Sequence, residues 1–165
     1  VDFMADVALP AAEMLRPQID RRRVALTWDV GTAPIVIQGD PRLLKIVMVN
    51  LLGNAVKYGL EEGEIRVAAR TGGRLVVSVW NRGPGFPENR RPELFRKFSR
   101  IQTPELAARP GTGVGLYTAW RIVHLHGGVI RAESQPGAWA EFRFEIPQPI
   151  VVPRVGDTEK GSEFG

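Results

Sequence analysis

The stretch that decides the reading is DPRLLKIVMVNLLGNAVKY, residues 40–58. Asp40 suits an N-cap, and Pro41 suits the first helical position, where a missing N–H is no loss. Leu44, Val47, Met48, Leu51, Leu52 and Ala55 recur at helical spacing and predict a broad apolar stripe facing a core. Another edge of the same helix is chemical. Asn50, Asn54 and Tyr58 follow one another at i, i+4 and i+8, with Lys57 at i+3 from Asn54. Carboxamides in mid-helix lower helix propensity and need partners, so a row of them points to a ligand. For Lys57 and Tyr58 the plain alternatives are a solvated lysine and an aromatic helix end.

Composition limits what can surround this helix. With 165 residues, 44% hydrophobic and 24% charged, the chain can fill one core and is too short for two comfortable domains. It contains no apolar run long enough to span a bilayer and no charged-then-apolar leader, so it is expected neither to enter a membrane nor to be exported by itself. The absence of cysteine excludes disulfides and thiolate zinc sites and agrees with a reducing cytosol. A net charge of +4 is modest, and Arg21-Arg22-Arg23 reads as a solvated helix end. No aromatic-interleaved basic stripe accompanies it, so no nucleic-acid partner is expected. A start at Val1 suggests a piece of a longer protein.

Taken in order, residues 2–20 predict an amphipathic helix carrying Phe3, Val7, Met14 and Leu15, with acids early and arginines late; Pro10 is a candidate interruption and Pro17 a candidate end. Residues 24–30 and 35–38 predict two short strands around a Gly-Thr-Ala-Pro turn. After the Asn-bearing helix, residues 64–70 and 74–80 predict a hairpin through Thr71-Gly72-Gly73. Residues 81–115 form a long irregular stretch with one short helical pattern, and so long a loop in a compact domain is usually functional or mobile. Residues 114–125 predict a helix stopped by Gly127-Gly128, and residues 129–134 and 139–146 predict a final strand pair. The domain is expected over residues 1–147. Residues 148–165 read as an extended tail ending in what resembles a cloning scar.

Two glycine-rich stretches carry chemistry. Gly83-Pro84-Gly85, directly after a strand, permits a sharp turn and close approach to a ligand. Gly111-Thr112-Gly113-Val114-Gly115 directly precedes a helix, and backbone N–H groups at that positive end suit phosphate. No Gly-x-x-x-x-Gly-Lys-Ser/Thr is present, so the chain is not a P-loop protein, and the dinucleotide spacing is also missing.

Order raises the specificity. The chain resembles the catalytic, ATP-binding domain of sensor histidine kinases, in the GHKL ATPase superfamily that includes gyrase. Residues 50–58 resemble the family's N box, Asn81-Arg82-Gly83-Pro84-Gly85-Phe86-Pro87 its G1 box, Glu93-Leu94-Phe95-Arg96-Lys97-Phe98 its F box, and residues 111–116 its G2 box. The resemblance covers residues 1–147. It implies an α+β fold, a two-layer α/β sandwich whose mixed five-stranded sheet carries about three helices on one face. It also implies ATP and Mg²⁺ between the N-box helix, the G1 turn and a mobile lid.

Residue by residue, the resemblance implies that Asn54 coordinates Mg²⁺, which prefers hard oxygen ligands. Asn50 stands where water-activating relatives carry a glutamate, and a carboxamide cannot act as a base, which favours transfer over hydrolysis. Lys57 would meet the phosphates, Tyr58 the sugar or base, and Arg109 the γ-phosphate, so Asn50, Lys57 and Arg109 are the catalytic candidates. Asn81, Gly83, Gly85, Phe86, Gly111, Thr112, Gly113, Val114, Gly115 and Leu116 complete the nucleotide-binding set. Phe95 and Phe98 read as lid anchors packed on the body.

Three departures qualify the resemblance. The G1 box normally opens with an aspartate that accepts from the adenine amino group, and here Asn81 stands there. Gly137-Ala138-Trp139-Ala140 lacks the usual Gly-Thr and receives no ligand role. No phosphoacceptor helix is present, and His124 and His126 read as structural helix-end residues that do not share a metal. The implied partners are therefore a dimerisation and phosphoacceptor domain preceding this one and, through it, a response regulator, with the isolated domain a monomer. The expected location is the cytoplasm, a membrane anchor elsewhere in the parent being compatible with it. A degenerate nucleotide-binding module is the first alternative. A serine kinase of the anti-sigma type is the second, with the Phe95/Phe98 box against it.

Overall fold

The computed structural model describes residues 1–96 and 115–149. Its strands are β1 (Ala25–Asp29), β2 (Glu64–Arg70), β3 (Arg74–Arg82), β4 (Val129–Gln135) and β5 (Trp139–Pro147). They form one mixed sheet in the order β1-β2-β3-β5-β4, with β1 parallel to β2 and every other pair antiparallel. Parallel neighbours require a crossover, and the connection between β1 and β2 contains α3 (Pro41–Tyr58). Alternation places Ile65, Val67, Leu75, Val77, Val79, Ile130, Phe142, Phe144 and Ile146 in the core. α3 packs on β3 and on α4 (Gly115–Leu125), and α4 packs on β4 and β5. The expected two-layer α/β architecture is therefore present.

The N-terminal segment is helical but broken differently from expectation. A π-helical turn, Met4–Ala8, leads into α1 (Leu9–Met14), and α2 (Arg16–Arg21) follows. The break is at Leu15 (φ −101°, ψ 3°), not at Pro10, and the helix resumes at Arg16 and continues past Pro17. Pro17 lies in the first turn of α2, where the missing N–H has no intrahelical partner to lose, and Pro10 is the second residue of α1, directly after the π-helical turn. Residues 35–38 form no strand of the sheet. Val36 makes a single bridge to Asp2, flanked by Phe3 N–H donating to Ile35 O (2.8 Å) and Ile37 N–H to Val1 O (2.8 Å). The alternation read from the sequence is real, since Ile35 and Ile37 are buried and Val36 exposed. Its partner is the first three residues and not a strand.

At the start of α3, Asp40 accepts from the N–H groups of Arg42 (2.9 Å) and Leu43 (3.4 Å). Desolvation pushes the Asp40 carboxyl upward in pKa, but these two amides and the charge of Arg42 outweigh it and hold the group below its ordinary value. Val47, Met48, Leu51 and Leu52 are fully buried on the core face. α4 ends in a Schellman arrangement: Gly128 N–H donates to Val123 O (3.0 Å), Gly127 N–H to His124 O (2.9 Å), and Gly127 adopts φ +75°. His126 does more than end the helix. Its Nε2 accepts from Asp40 N–H (3.2 Å), so Nδ1 carries the proton and donates to Ile122 O (2.8 Å). The end of α4 is thereby tied to the beginning of α3.

Candidate functional site

The chemical edge of α3 is flanked by two other elements. At mid-helix, Asn50 faces the first residue of α4: a Cβ on Gly115 would stand 3.3 Å from Asn50 Oδ1 and 3.5 Å from its Cγ. The two helices meet so closely there that a methyl on residue 115 would push the Asn50 carboxamide aside by a few tenths of an ångström. Asn50 and Asn54 are half-buried, and among the described residues neither carboxamide has a hydrogen-bond partner. Lys57 is exposed in the last turn, and Tyr58 packs half-buried against the core.

At its C-terminal end α3 meets β3. That strand runs two residues further than the sequence suggested, so Asn81 belongs to it, paired between Ile65 of β2 and Ala140 of β5. Asparagine, arginine and glycine in succession read as a turn, but β2 pairs with Asn81 and β5 with both Asn81 and Arg82, so the strand continues through the first two. Asn81 therefore shares the inward face of Val77 and Val79, with 4% of its surface exposed. A Cβ on Gly83 would lie 3.0 Å from Asn81 Nδ2 and 3.0 Å from the Cα of Gly59, the residue capping α3. The N-box helix and the G1 turn are in contact at this corner.

Gly85 has φ +68°, and what it approaches is the protein itself: a Cβ there would collide with Ser134 Oγ and stand 2.9 Å from Trp139 O. Gly83 N–H donates to Ala138 O (3.0 Å), and Gly137 N–H donates to Pro84 O (2.7 Å). Ser134 Oγ accepts from Phe86 N–H (2.9 Å) and donates to Phe86 O (3.1 Å). The β4–β5 turn, to which the sequence assigned no ligand role, thus braces the G1 turn. Sequence reading missed Ser134 and Ala138 because the contacts use a hydroxyl 48 residues away and a main-chain carbonyl.

Phe86, expected among the nucleotide-binding residues, is a core residue, its ring 6.3 Å from Phe142. Phe95 packs edge-on against the same ring at 6.1 Å. Leu116 packs half-buried on the core. Arg109, Gly111, Thr112, Gly113, Val114 and Phe98 lie outside the described residues. The structure therefore brings together Asn50 with Gly115, and Tyr58–Gly59 with Asn81 and Gly83, at two points along one helix.

The sequence and fold have relatives among known proteins. Residues 39–150 match the family described as histidine kinase-, DNA gyrase B-, and HSP90-like ATPase. The chain belongs to that family. It is 40% identical over 146 residues to the sensor protein KdpD of Escherichia coli, covering 88% of this chain and 16% of KdpD. Among solved structures, the catalytic domain of histidine kinase ThkA superposes with a TM-score of 0.75 at 26% identity, covering 88% of this chain and 95% of that one. Full-length ShkA in complex with AMPPNP gives 0.76 at 29% identity, over 93% of this chain and 31% of that one. ThkA in complex with the response regulator TrrA gives 0.69 at 25% identity, over 84% and 38%. The chain is thus an ATPase-family domain homologous to sensor histidine kinase catalytic domains, with the α+β fold they share. These likenesses give the degenerate-module alternative no support. The chain spans only 16% of the length of KdpD.

Proposed function

We propose that this domain transfers the γ-phosphoryl group of Mg·ATP to a histidine on a separate dimerisation and phosphoacceptor domain. The observation that carries the reading is one helix edge, from Asn50 to Tyr58, abutted at one point by Gly115 and at its end by Asn81 and Gly83. A nucleotide lying along that edge would have its base at the Asn81 corner and its phosphates toward the start of α4. The histidine nitrogen of the acceptor forms the new P–N bond as the bond from the γ-phosphorus to the departing ADP oxygen breaks.

The residues suit these roles. Asn54 offers a hard carboxamide oxygen not engaged by the protein among the described residues, which fits Mg²⁺. When bound, Mg²⁺ neutralises charge on the phosphate oxygens. Asn50 cannot take a proton from water, so hydrolysis does not compete with transfer. Lys57 and Arg109 supply positive charge to the phosphates, and the glycine-rich residues 111–116 supply backbone N–H donors. Tyr58 lies against the sugar or base, and Asn81 accepts from the adenine amino group. A response regulator then takes the phosphoryl group from the acceptor domain, a partnership supported by the likeness to ThkA. Such a cycle runs on cytoplasmic ATP, and no helix among the described residues is long and apolar enough to cross a membrane.

The test is incubation with γ-labelled ATP, Mg²⁺ and a supplied acceptor domain. Label that is lost in acid and kept in base is the expected result. Acid-stable label indicates a serine kinase, and no label on any acceptor refutes transfer.

A further inference from the structure

The three consecutive arginines at residues 21–23 look equivalent in the sequence, and the structure separates them. Arg21 is exposed, and Arg23 is an exposed residue ion-paired to Glu62 at 3.1 Å. Arg22 alone turns inward. Its Nη2 donates to Gly59 O at 2.9 Å, 37 residues away, and its Nε is buried with no hydrogen-bond partner among the described residues. Its main-chain carbonyl accepts from Glu62 N–H at 2.8 Å. One residue thus holds both sides of the turn that follows α3, by side chain at Gly59 and by backbone at Glu62. A guanidinium is favoured there by the negative end of the helix dipole.

Gly59 is a buried corner of the site. A Cβ on it would stand 3.2 Å from Asn81 Nδ2 and 3.3 Å from Arg82 O, and a Cβ on Gly83 would stand 3.0 Å from the Gly59 Cα. The next residue, Leu60, donates its N–H to Arg82 O at 2.9 Å. There is no room for a side chain between Gly59 and the Asn81 carboxamide, so a displacement of Gly59 bears directly on the space in which that carboxamide stands.

We propose that Arg22 is a positioning residue for the base end of the nucleotide site, acting through Gly59 on Asn81. The assignment rests on the ATP reading above. Arg22→Ala, Arg22→Lys and, as a charge-matched neighbour, Arg23→Ala are titrated with Mg·ATP well below their unfolding temperatures, so that reduced stability alone leaves affinity unchanged. The side-chain amide resonances of Asn81 are followed by NMR in the same proteins without nucleotide. Arg22→Ala is expected to shift the Asn81 signals and weaken ATP binding about five- to tenfold, with Arg22→Lys recovering part of the loss and Arg23→Ala unchanged. Should Arg22→Ala fail to fold, Arg22→Lys carries the comparison, with an expected loss of about two- to threefold. Unmoved Asn81 signals, or ATP affinity equal to that of the unaltered chain, overturn the assignment. Failure of the unaltered chain to bind ATP overturns the nucleotide reading and the assignment with it, and the Asn81 shift then shows whether the Arg22 contact itself was real.

Discussion

Replacing Asn81 by aspartate sets two demands on the site against each other. Asn81 is the last inward-facing residue of β3, 4% exposed, and its carboxamide occupies the space that a side chain on Gly59 or Gly83 would need. As acceptor for an adenine amino group, a neutral carboxamide contributes about 1 kcal/mol, whereas a carboxylate contributes about 1.5–3 kcal/mol. The difference of about 0.5–2 kcal/mol corresponds to ATP binding tightened about two- to thirtyfold in Asn81→Asp. The same burial that focuses the bond penalises the charge before ATP arrives. Folding stability should therefore fall by about 1–3 kcal/mol, and the introduced carboxyl should titrate above the usual range. Tighter binding is then present only at pH values above that raised pKa and fades as pH falls through it. Calorimetric titration of both proteins with Mg·ATP across pH, paired with urea unfolding, reads both effects. Equal or tighter binding by the natural chain at a pH where the new carboxyl is ionised would refute the adenine role.

Three further outcomes are expected. In Gly115→Ala, the added methyl stands 3.3 Å from Asn50 Oδ1 and displaces it; ATP affinity should fall roughly three- to tenfold while thermal stability holds or rises, because alanine favours helix by up to about 1 kcal/mol. His126→Ala leaves Asp40 N–H without its acceptor and should cost about 2 kcal/mol by urea unfolding; a loss below about 0.5 kcal/mol would show that the link between the two helices is idle. Glu141 is directly opposite Glu133 across β5 and β4, and burial followed by that neighbouring charge raises its pKa. A carboxyl whose folded pKa is raised destabilises the fold when ionised, so the penalty is full at neutral pH and disappears as pH falls through the raised value. Glu141→Gln should accordingly gain roughly 0.2–1 kcal/mol at pH 7 and nothing near pH 4. An equal gain at both pH values would contradict the charge argument.

Local chemistry was the legible part of this fold. The cap at Asp40, the buried stripe from Leu44 to Ala55 and the span of β2 all follow from short-range rules. What escaped depends on partners distant in sequence. Asn81 extends a strand because β2 and β5 flank it, and Ile35 and Ile37 pair with the chain's first residues because those are what lies beside them. Leu15 and not Pro10 breaks the N-terminal helix, since a proline disturbs the turn before it and starts the next one comfortably. In the site, the asparagine row and glycine turns were readable as types and order. That Gly85 is needed for Ser134 and Trp139, that Phe86 belongs to the core, and that Arg22 differs from its two neighbours could be seen only once the chain was folded.

A titration of the chain with ATP, in Mg²⁺ and in its absence, repeated on Asn54→Ala, tests the central claim most directly. Saturable one-to-one binding that needs Mg²⁺ and is lost or severely weakened in Asn54→Ala is the predicted result. No uptake, or uptake indifferent both to the cation and to the loss of that carboxamide, would contradict the account.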